Sequence, residues 1–302
     1  MKSPTNTAKV AKKTKAPKAA KVKVADLPDA TISEMDGLRY LHLETPWVQG
    51  AMRIRKPLKL ELDYIQRMMA WLLLKAPEAW SEVRTLQLGM GAAALTKYAH
   101  SVLKVPTTVV ELNPKVVAAC RAWFHLPPDD ERLSVVLQDA EQFVNDDGHI
   151  AAFDAMCVDL YDHEAASPVL DDEDFYRACW RVLDDGGVMT VNLFGRDASF
   201  GRSASRIEAA FGEGRMAMLK PTREGNTIVL AWKGFELPDR EVLVQRAETL
   251  QARWDLPAAK WVKLLSTFQA AKSPSAKTAK AKEPSKSKSK PKATSASPDS
   301  AA

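Results

Sequence analysis

Cysteine is scarce in this chain, and long apolar runs are missing. The 302 residues contain three cysteines, Cys120, Cys157 and Cys179, whose spacing matches neither a disulfide framework nor a metal site. No apolar run approaches the roughly 18–20 residues that a membrane span needs. The N-terminus has neither the apolar segment of a secretory signal nor the arginines of a transit peptide. We therefore expect a protein of a reducing compartment, the cytoplasm, with no membrane contact and no bound metal.

Acidic residues are absent from residues 1–25 and rare in residues 272–302. Each of these ends carries eight lysines, and the second has only Glu283 and Asp299 as acids. Neither end has enough apolar side chains to offset the entropy of folding, so both are predicted to be disordered tails. The lysines could contact a polyanion such as nucleic acid non-specifically, or simply keep the chain soluble without a dedicated partner.

The positive charge of the chain belongs to these tails. The whole chain carries +5, and the two ends carry +8 and +6, which leaves −9 for the part between them. An acidic core attracts a cationic small molecule rather than DNA. The charge distribution therefore favours a cationic substrate for the folded part.

The middle of the chain alternates between strand-like and helix-like patterns. Strands are predicted at 83–89, 107–112, 133–139, 153–160 and 186–194, each followed by a helix, at 93–103, 114–124, 140–146, 172–183 and 200–211. Two further strands, 214–221 and 226–233, are predicted to pair antiparallel. This order predicts an α/β protein with a seven-stranded, mostly parallel sheet, the Rossmann-like fold of adenosylmethionine-dependent methyltransferases.

Shorter segments flank this predicted sheet. Residues 37–54 alternate like a short β-hairpin or two extended strands, and residues 61–74 have helical spacing. Two trailing helices, 240–254 and 258–268, have no role that the sequence reveals. The predicted organisation is a tail at 1–28, a short β segment at 29–58, a catalytic domain at 59–235, trailing helices at 236–270 and a tail at 271–302.

Ligands of such sheets bind beyond the carboxyl ends of the strands, so the residues that follow each strand are the candidates. Gly89 and Gly91 follow the first strand and allow a tight turn close to a ligand. Glu111 ends the second strand, where a carboxylate can accept hydrogen bonds from both ribose hydroxyls of a nucleoside. A solvated glutamate at a strand end is the alternative.

Acids also follow the third and fourth strands. Asp139, with Ala140 beside it, could bind an adenine amino group or cap the next helix. Asp159 and Asp162 flank Tyr161 in the sequence VDLYD. Carboxylates so close repel each other unless a cation or a proton lies between them, although loop acids can also be caps or solvated.

Seven motifs occur in an order that resembles the spermidine synthase (polyamine aminopropyltransferase) family, closest to its bacterial spermidine-synthase-like branch. They are VQGAMRI, YIQRMMAWLL, LQLGMGA, VVELNP, LQDAEQF, VDLYD and GGVMTVN, spread over residues 48–192. The resemblance implies aminopropyl transfer from decarboxylated S-adenosylmethionine, as co-substrate, to a diamine such as putrescine. It allows for a homodimer.

The resemblance also implies a role for individual residues. Glu111 would hold the ribose and Asp139 the adenine, while Asp159 would be the catalytic aspartate of the loop. Asp162 would seat the diamine, and Gln66 would line the ligand cleft; Tyr64 and Tyr161 are further candidates for substrate binding.

Two other functions stay open at this point. The family's glycine loop usually has an Asp where this chain has Ala92, so a methyltransferase that uses intact S-adenosylmethionine is one alternative. The other is a non-catalytic homologue that binds polyamines or nucleosides.

Overall fold

The alternation of strands and helices that the sequence predicts is present in the computed structural model. The structure describes residues 26–161, 168–194 and 198–268. The described residues belong to a single unit, which ends at Gln269. The predictions for residues 1–25 and 272–302, and for Asp162, lie outside the described residues.

A small antiparallel sheet precedes the large one. Its strands are β1 (Ala30–Met35), β2 (Leu38–Leu43) and β3 (Gly50–Arg53), in the order β1-β2-β3. Asp36 and Gly37 join the first two strands, and both have positive φ, as a two-residue type I′ hairpin turn requires. β1 lies within the predicted β segment 29–58 but precedes the strands predicted over 37–54; only Ala30 and Ile32 of this strand are partly buried, and its other four residues are exposed.

The large sheet has eight strands, one more than predicted. Five of them run parallel: β4 (Thr85–Leu88), β5 (Thr107–Glu111), β6 (Leu133–Leu137), β7 (Phe153–Val158) and β8 (Leu183–Phe194). Three antiparallel strands complete it: β9 (Met216–Leu219), β10 (Asn226–Trp232) and β11 (Leu265–Thr267). The order across the sheet is β11-β9-β10-β8-β7-β4-β5-β6. The predicted α/β class with a Rossmann-like sheet is therefore confirmed.

The eighth strand corrects the prediction of a helix over 258–268. The last helix ends at Leu264, and Leu265 already has an extended backbone. Residues 265–267 then pair antiparallel with β9, whose outer backbone groups would otherwise lack a strand partner.

Helices cover both faces of the large sheet. They are α1 (Asp63–Met68), α2 (Trp71–Leu74), α3 (Ala94–Lys97), α4 (Pro114–Trp123), α5 (Ala140–Val144), α6 (Glu173–Val182), α7 (Ala198–Phe211), α8 (Arg240–Trp254) and α9 (Ala258–Leu264). A π-helical turn, Tyr98–Leu103, extends α3. The predicted helix 61–74 is interrupted, because the amides of Met69 and Ala70 bond three residues back rather than four.

The trailing helices belong to the main core. Leu243, Leu250 and Trp261 from α8 and α9 pack in one buried cluster with Trp71 of α2 and Trp232 of β10. The segment whose role the sequence left open therefore covers one face of the sheet. Within the described ranges, no helix has the length and apolar character needed to cross a membrane.

Lys97 is buried without a carboxylate among its hydrogen-bond partners. Its side chain is 1% exposed, and its ammonium donates to the carbonyl oxygens of Phe124 (2.6 Å) and Pro57 (3.1 Å) and lies 3.2 Å from Sδ of Met52. Burial lowers the pKa of Lys97 from 10.5 to about 8. The lysine joins the small sheet to the end of α4.

Candidate active site

The carboxyl ends of four neighbouring parallel strands meet at one edge of the large sheet. Gly89 follows β4, Glu111 ends β5, Asp139 follows β6 and Asp159 follows β7, and these strands are adjacent in the order β7-β4-β5-β6. Four of the residues predicted from the sequence are thus brought to one edge.

The glycine turn lies directly against Asp159. Gly89 has φ of +83°, and a Cβ added there would overlap the carbonyl oxygen of Asp159. The amide of Asp159 donates to the carbonyl oxygen of Leu88 at 2.9 Å, so the ends of β4 and β7 stay in register. A side chain at position 89 would push the acid away from the turn, which explains why glycine occupies this position.

Two further small residues let the small sheet approach this turn. A Cβ on Gly91 would lie 2.8 Å from the carbonyl oxygen of Gln49, and one on Gly50 would lie 2.6 Å from Cβ of Ala92. Both distances are shorter than side-chain carbon atoms tolerate. The loop between β2 and β3 therefore forms one wall of the site.

Gln87 supports the turn from below and was not singled out from the sequence. Its amide nitrogen donates to the carbonyl oxygen of Gly89 at 2.8 Å, and its amide oxygen accepts from the hydroxyl of Thr96 at 2.5 Å. Gln87 is buried in the strand between Leu86 and Leu88, so only its polar type between two apolar residues could have marked it.

Glu111 joins the glycine turn to the end of β5. Its two carboxylate oxygens accept from the amides of Met90 (2.9 Å) and Asn113 (2.8 Å). Burial raises the pKa of Glu111, and these backbone donors oppose that rise. A carboxylate oxygen has more than one lone pair, so each can accept a further bond from a hydroxyl donor.

Asp139 acts as the N-cap of α5, one of its two predicted roles. Its carboxylate accepts from the amide of Gln142 at 3.0 Å, and Ala140 is the first residue of the helix. Two exposed apolar side chains, Leu112 and Leu137, follow β5 and end β6 beside it. They were not predicted. Their apolar surfaces are of a kind against which a flat apolar ligand can pack.

Asp159 is held by two polar side chains. Nδ2 of Asn192 donates to its Oδ1 at 2.9 Å, and the hydroxyl of Tyr64 forms a second hydrogen bond with the carboxylate. Burial raises the pKa of Asp159, and the two hydrogen bonds oppose that rise. Burial and the neighbouring carboxylate raise the pKa of Tyr64 well above its ordinary value, so its phenol stays protonated.

Tyr161 uses its hydroxyl inside the protein. The hydroxyl donates to the carbonyl oxygen of Asn192 at 2.8 Å and accepts from the amide of Phe194 at 2.6 Å, while the two aromatic rings pack edge to face. The tyrosine fastens the segment after β7 to the end of β8. Its role in substrate binding stays a prediction.

The side-chain amide of Gln66 bonds within the protein. Its amide nitrogen donates to the carbonyl oxygen of Leu60 at 2.8 Å. Its neighbour Ile65, and not Gln66, is among the residues that line the cavity described next. Its role in the cleft therefore stays a prediction.

A small, partly open cavity lies between the glycine turn, the small sheet and Asp159. Its volume is about 10 Å³, room for about one water molecule. No lysine, arginine or histidine is among the described residues that line it, whereas two carboxylates are: Asp159 and Glu61. Glu61 is paired with Arg53, which lowers the pKa of Glu61. Elsewhere in the described ranges, no three His, Cys, Asp or Glu side chains are grouped as metal ligands would be.

Comparison with known proteins identifies the family. A family model described as spermine/spermidine synthase domain matches residues 89–193. A polyamine aminopropyltransferase of Chromobacterium violaceum is 30% identical over 246 residues, which cover 80% of this chain and 91% of the relative. The chain belongs to the spermine/spermidine synthase family. The resemblance stated from the sequence motifs is confirmed, and the chain is a transferase of the aminopropyltransferase type.

Solved structures agree on the fold of this family member. A probable spermidine synthase from Corynebacterium glutamicum superimposes with a TM-score of 0.61 at 18% identity, covering 72% of this chain and 83% of that one. Human methyltransferase-like protein 13, solved in complex with SAH, has a TM-score of 0.56 at 19% identity, covering 64% and 92%. The fold is therefore shared between aminopropyl and methyl transferases.

Proposed function

We propose that this chain transfers an aminopropyl group from decarboxylated S-adenosylmethionine to a diamine such as putrescine. The observation that carries the proposal is the direct contact between the Gly89 turn and Asp159 at the carboxyl edge of the sheet. The contact is made by the backbone carbonyl of Asp159, and it supports the proposal because a turn suited to a nucleoside then lies next to a residue whose carboxylate suits an amine.

The nucleoside half of the site would use the ends of β4, β5 and β6. Glu111 would accept the ribose hydroxyls, and Asp139 with Ala140 would meet the adenine edge. Leu112 and Leu137 give the adenine ring apolar side chains to pack against. Gly89 and Gly91 leave room for the backbone to approach the ligand.

Asp159 would accept the proton of the attacking amine. An alkylammonium has a pKa near that of lysine, about 10.4, so a free amine at pH 7 costs roughly 5 kcal/mol. The amine nitrogen forms a bond to the carbon beside the sulfonium, the carbon–sulfur bond breaks, and its electron pair stays on sulfur as a thioether. The proton that the nitrogen loses goes to Asp159, whose raised pKa suits a proton acceptor.

The other end of the diamine would remain an ammonium. An acidic site with no cationic side chain among the described lining residues favours such a group. Asp162 is proposed as its partner on the family resemblance, with Gln66, Tyr64 and Tyr161 contributing to the amine side.

Mass spectrometry of products tests this proposal. The protein is incubated with decarboxylated S-adenosylmethionine and a panel of diamines, and we expect a mass increase of one aminopropyl group on one or more of them. Asp159→Asn should abolish product while nucleoside binding survives, and Asp239→Asn, at an exposed aspartate without a capping bond, is the matched control. Normal turnover by Asp159→Asn would refute the assigned role. Absent turnover with retained ligand binding would instead favour a non-catalytic binding protein.

A second candidate is methyl transfer from intact S-adenosylmethionine. Position 92 has no carboxylate, and the remaining acid of the cavity, Glu61, is already paired with Arg53. Among the described residues that line the cavity, Asp159 is therefore available to the attacking amine, but no unpaired carboxylate is left for the ammonium of an aminopropyl tail. Calorimetry with the two nucleosides separates the candidates, because tighter binding of the carboxylated form would favour methyl transfer.

The remaining predictions concern location and partners. Non-specific polyanion contact through the lysine-rich ends would give salt-sensitive DNA binding that is lost when residues 1–25 and 272–302 are deleted. A homodimer would appear in sedimentation experiments.

A cytoplasmic location is consistent with three cysteines that are buried and unpaired in the structure.

A further inference from the structure

A line of three polar side chains leads from the turn between β9 and β10 to Asp159. The hydroxyl of Thr222 lies 3.4 Å from Oδ1 of Asn226, Nδ2 of Asn226 donates to Oδ1 of Asn192 at 3.1 Å, and Nδ2 of Asn192 donates to Asp159 at 2.9 Å. Thr222 precedes β10, Asn226 begins β10, and Asn192 lies near the end of β8. We call these three residues the amide chain.

Hydrogen bonds along the amide chain set the direction of its amides. The hydroxyl oxygen of Thr222 accepts from the backbone amide of Asn226 at 3.2 Å, and its proton has two acceptors, the carboxylate of Glu224 and Oδ1 of Asn226. Donation to Oδ1 orients the Asn226 side chain. The Asn226 amide then turns its nitrogen toward Asn192, and Asn192 accepts through Oδ1. As a result Asn192 presents an N–H group, and not an oxygen, to Asp159.

Burial makes this direction hard to reverse. Asn192 is 2% exposed, and both Thr222 and Asn226 are also buried. The Asn192 backbone carbonyl is engaged by the hydroxyl of Tyr161, which holds the same residue from a third side. Turning either amide over would place two oxygens or two N–H groups face to face without water to satisfy them, which is costly in a buried network.

We propose that Asn192 and Asn226 are positioning residues for Asp159: Asn192 holds the carboxylate as a donor, and Asn226 acts through Asn192 by fixing the orientation of its amide. The inference rests on the proposed function, because it concerns the acid assigned there as proton acceptor. It adds that residues of β8 and β10 orient this carboxylate and favour its ionised form.

Other groups near Asp159 come from different elements. Tyr64 of α1 and Tyr161 after β7 both have pKa values raised by burial, and burial raises the pKa of Cys157 of β7 to about 12. All three are uncharged at neutral pH, and Glu61 across the cavity is paired with Arg53. The hydrogen bonds of Tyr64 and Asn192 are therefore the main influences that favour the ionised carboxylate.

Direct titration of Asp159 tests the proposal without any turnover. The protein is labelled with aspartate carrying ¹³C at the carboxyl, and Asp159→Asn identifies the signal of interest. In Asn192→Leu we expect the pKa of Asp159 to rise by about one to two units, as loss of a hydrogen bond to a charged group predicts. In Asn226→Leu we expect a smaller rise in the same direction.

The double variant decides whether Asn226 acts through Asn192. In the Asn192→Leu background, Asn226→Leu should cause no further rise, because the intermediate amide is gone. An equal rise in both backgrounds would overturn the relay, and an unchanged pKa in Asn192→Leu would overturn the whole proposal. Because Asp159 titrates whether or not the enzyme turns over, failure of the proposed function would leave this result intact.

A control and a milder variant keep the test decisive. Thr190→Val removes a buried hydrogen bond to Met68 on the same strand and face as Asn192, but makes no contact with the amide chain. It should leave the pKa of Asp159 unchanged. If Asn226→Leu fails to fold, Thr222→Ala removes only the end of the amide chain. A rise in the pKa of Asp159 that disappears in the Asn192→Leu background then supports the proposal. A rise that persists in that background refutes it.

Discussion

Lys97 makes the stability of the protein depend on pH in a way that can be calculated. The folded state lowers the pKa of this buried ammonium from 10.5 to about 8. Below pH 8 the folded and unfolded states both carry the proton, and the folded state bears the full cost of burying the charge. Between pH 8 and 10.5 the unfolded state binds more protons than the folded one, so stability rises with pH in this window.

The size of this effect follows from the pKa difference. The difference between 10.5 and about 8 corresponds to about 3 kcal/mol. The three cysteines act in the opposite direction, because burial raises their pKa values, and stability therefore falls above about pH 9 as the unfolded thiols ionise. Burial also raises the pKa values of Tyr64, Tyr98, Tyr161 and Tyr176, so the pH dependence of the wild-type protein alone would mix several contributions.

Comparison with Lys97→Met isolates the lysine. The variant keeps the length of the side chain but has no proton to lose. Lys97 contributes to the pKa of Cys120 and not to those of Cys157 and Cys179, so these two thiols titrate as in the wild type. We expect the free energy of unfolding of the wild type minus that of Lys97→Met to increase by about 2 to 3 kcal/mol between pH 7.5 and 10. Urea unfolding at a series of pH values measures it.

The control for this comparison is Lys260→Met, at an exposed lysine of α9. Its difference from the wild type should stay flat over the same range. A flat difference for Lys97→Met as well would refute the reasoning, because it would mean that the lysine has the same pKa in the folded and unfolded states.

Two other predictions concern the glycine turn and the trailing helices. Gly89→Ala should lower both stability and nucleoside affinity, because its Cβ would overlap the carbonyl oxygen of Asp159. Thermal unfolding measures the stability, and calorimetry measures the affinity. The control is Gly201→Ala, where an added Cβ meets nothing within 4 Å, so overlap should reduce neither quantity. Equal nucleoside affinity in Gly89→Ala would contradict the assigned site. Leu250→Ala should reduce the free energy of unfolding by about 2 to 5 kcal/mol, while Val244→Ala on the exposed face of the same helix should change it little; equal effects would show that α8 is not part of the core.

The sequence indicates which residues end the parallel strands better than it indicates which residues support them. Glu111, Asp139 and Asp159 can be found because each follows a strand of a parallel sheet, and such strands end at one edge. Asn192 and Asn226 cannot be found in this way. They meet only because β8 and β10 pair antiparallel in one register, with Asn226 opposite Phe194, and no local pattern specifies that register.

The differences in the fold have similar causes. The predicted helix 258–268 contains the short strand β11, whose conformation depends on the distant edge of β9 rather than on residues 265–267 themselves. The interruption after Met68 lies in a segment that is apolar on every side, so periodicity gives no signal there. The family and the α/β class were predictable because they rest on many motifs and elements at once.

The position of the trailing helices has a consequence for synthesis on the ribosome. Trp71 and Trp232 are covered by α8 and α9, and the sheet gains its outermost strand only when β11 has emerged. A nascent chain that already contains every residue of the parallel strands would still expose an apolar sheet face. We therefore expect chains truncated before α8 to aggregate or to be held by chaperones, even though they contain all the strand-end residues assigned to the site.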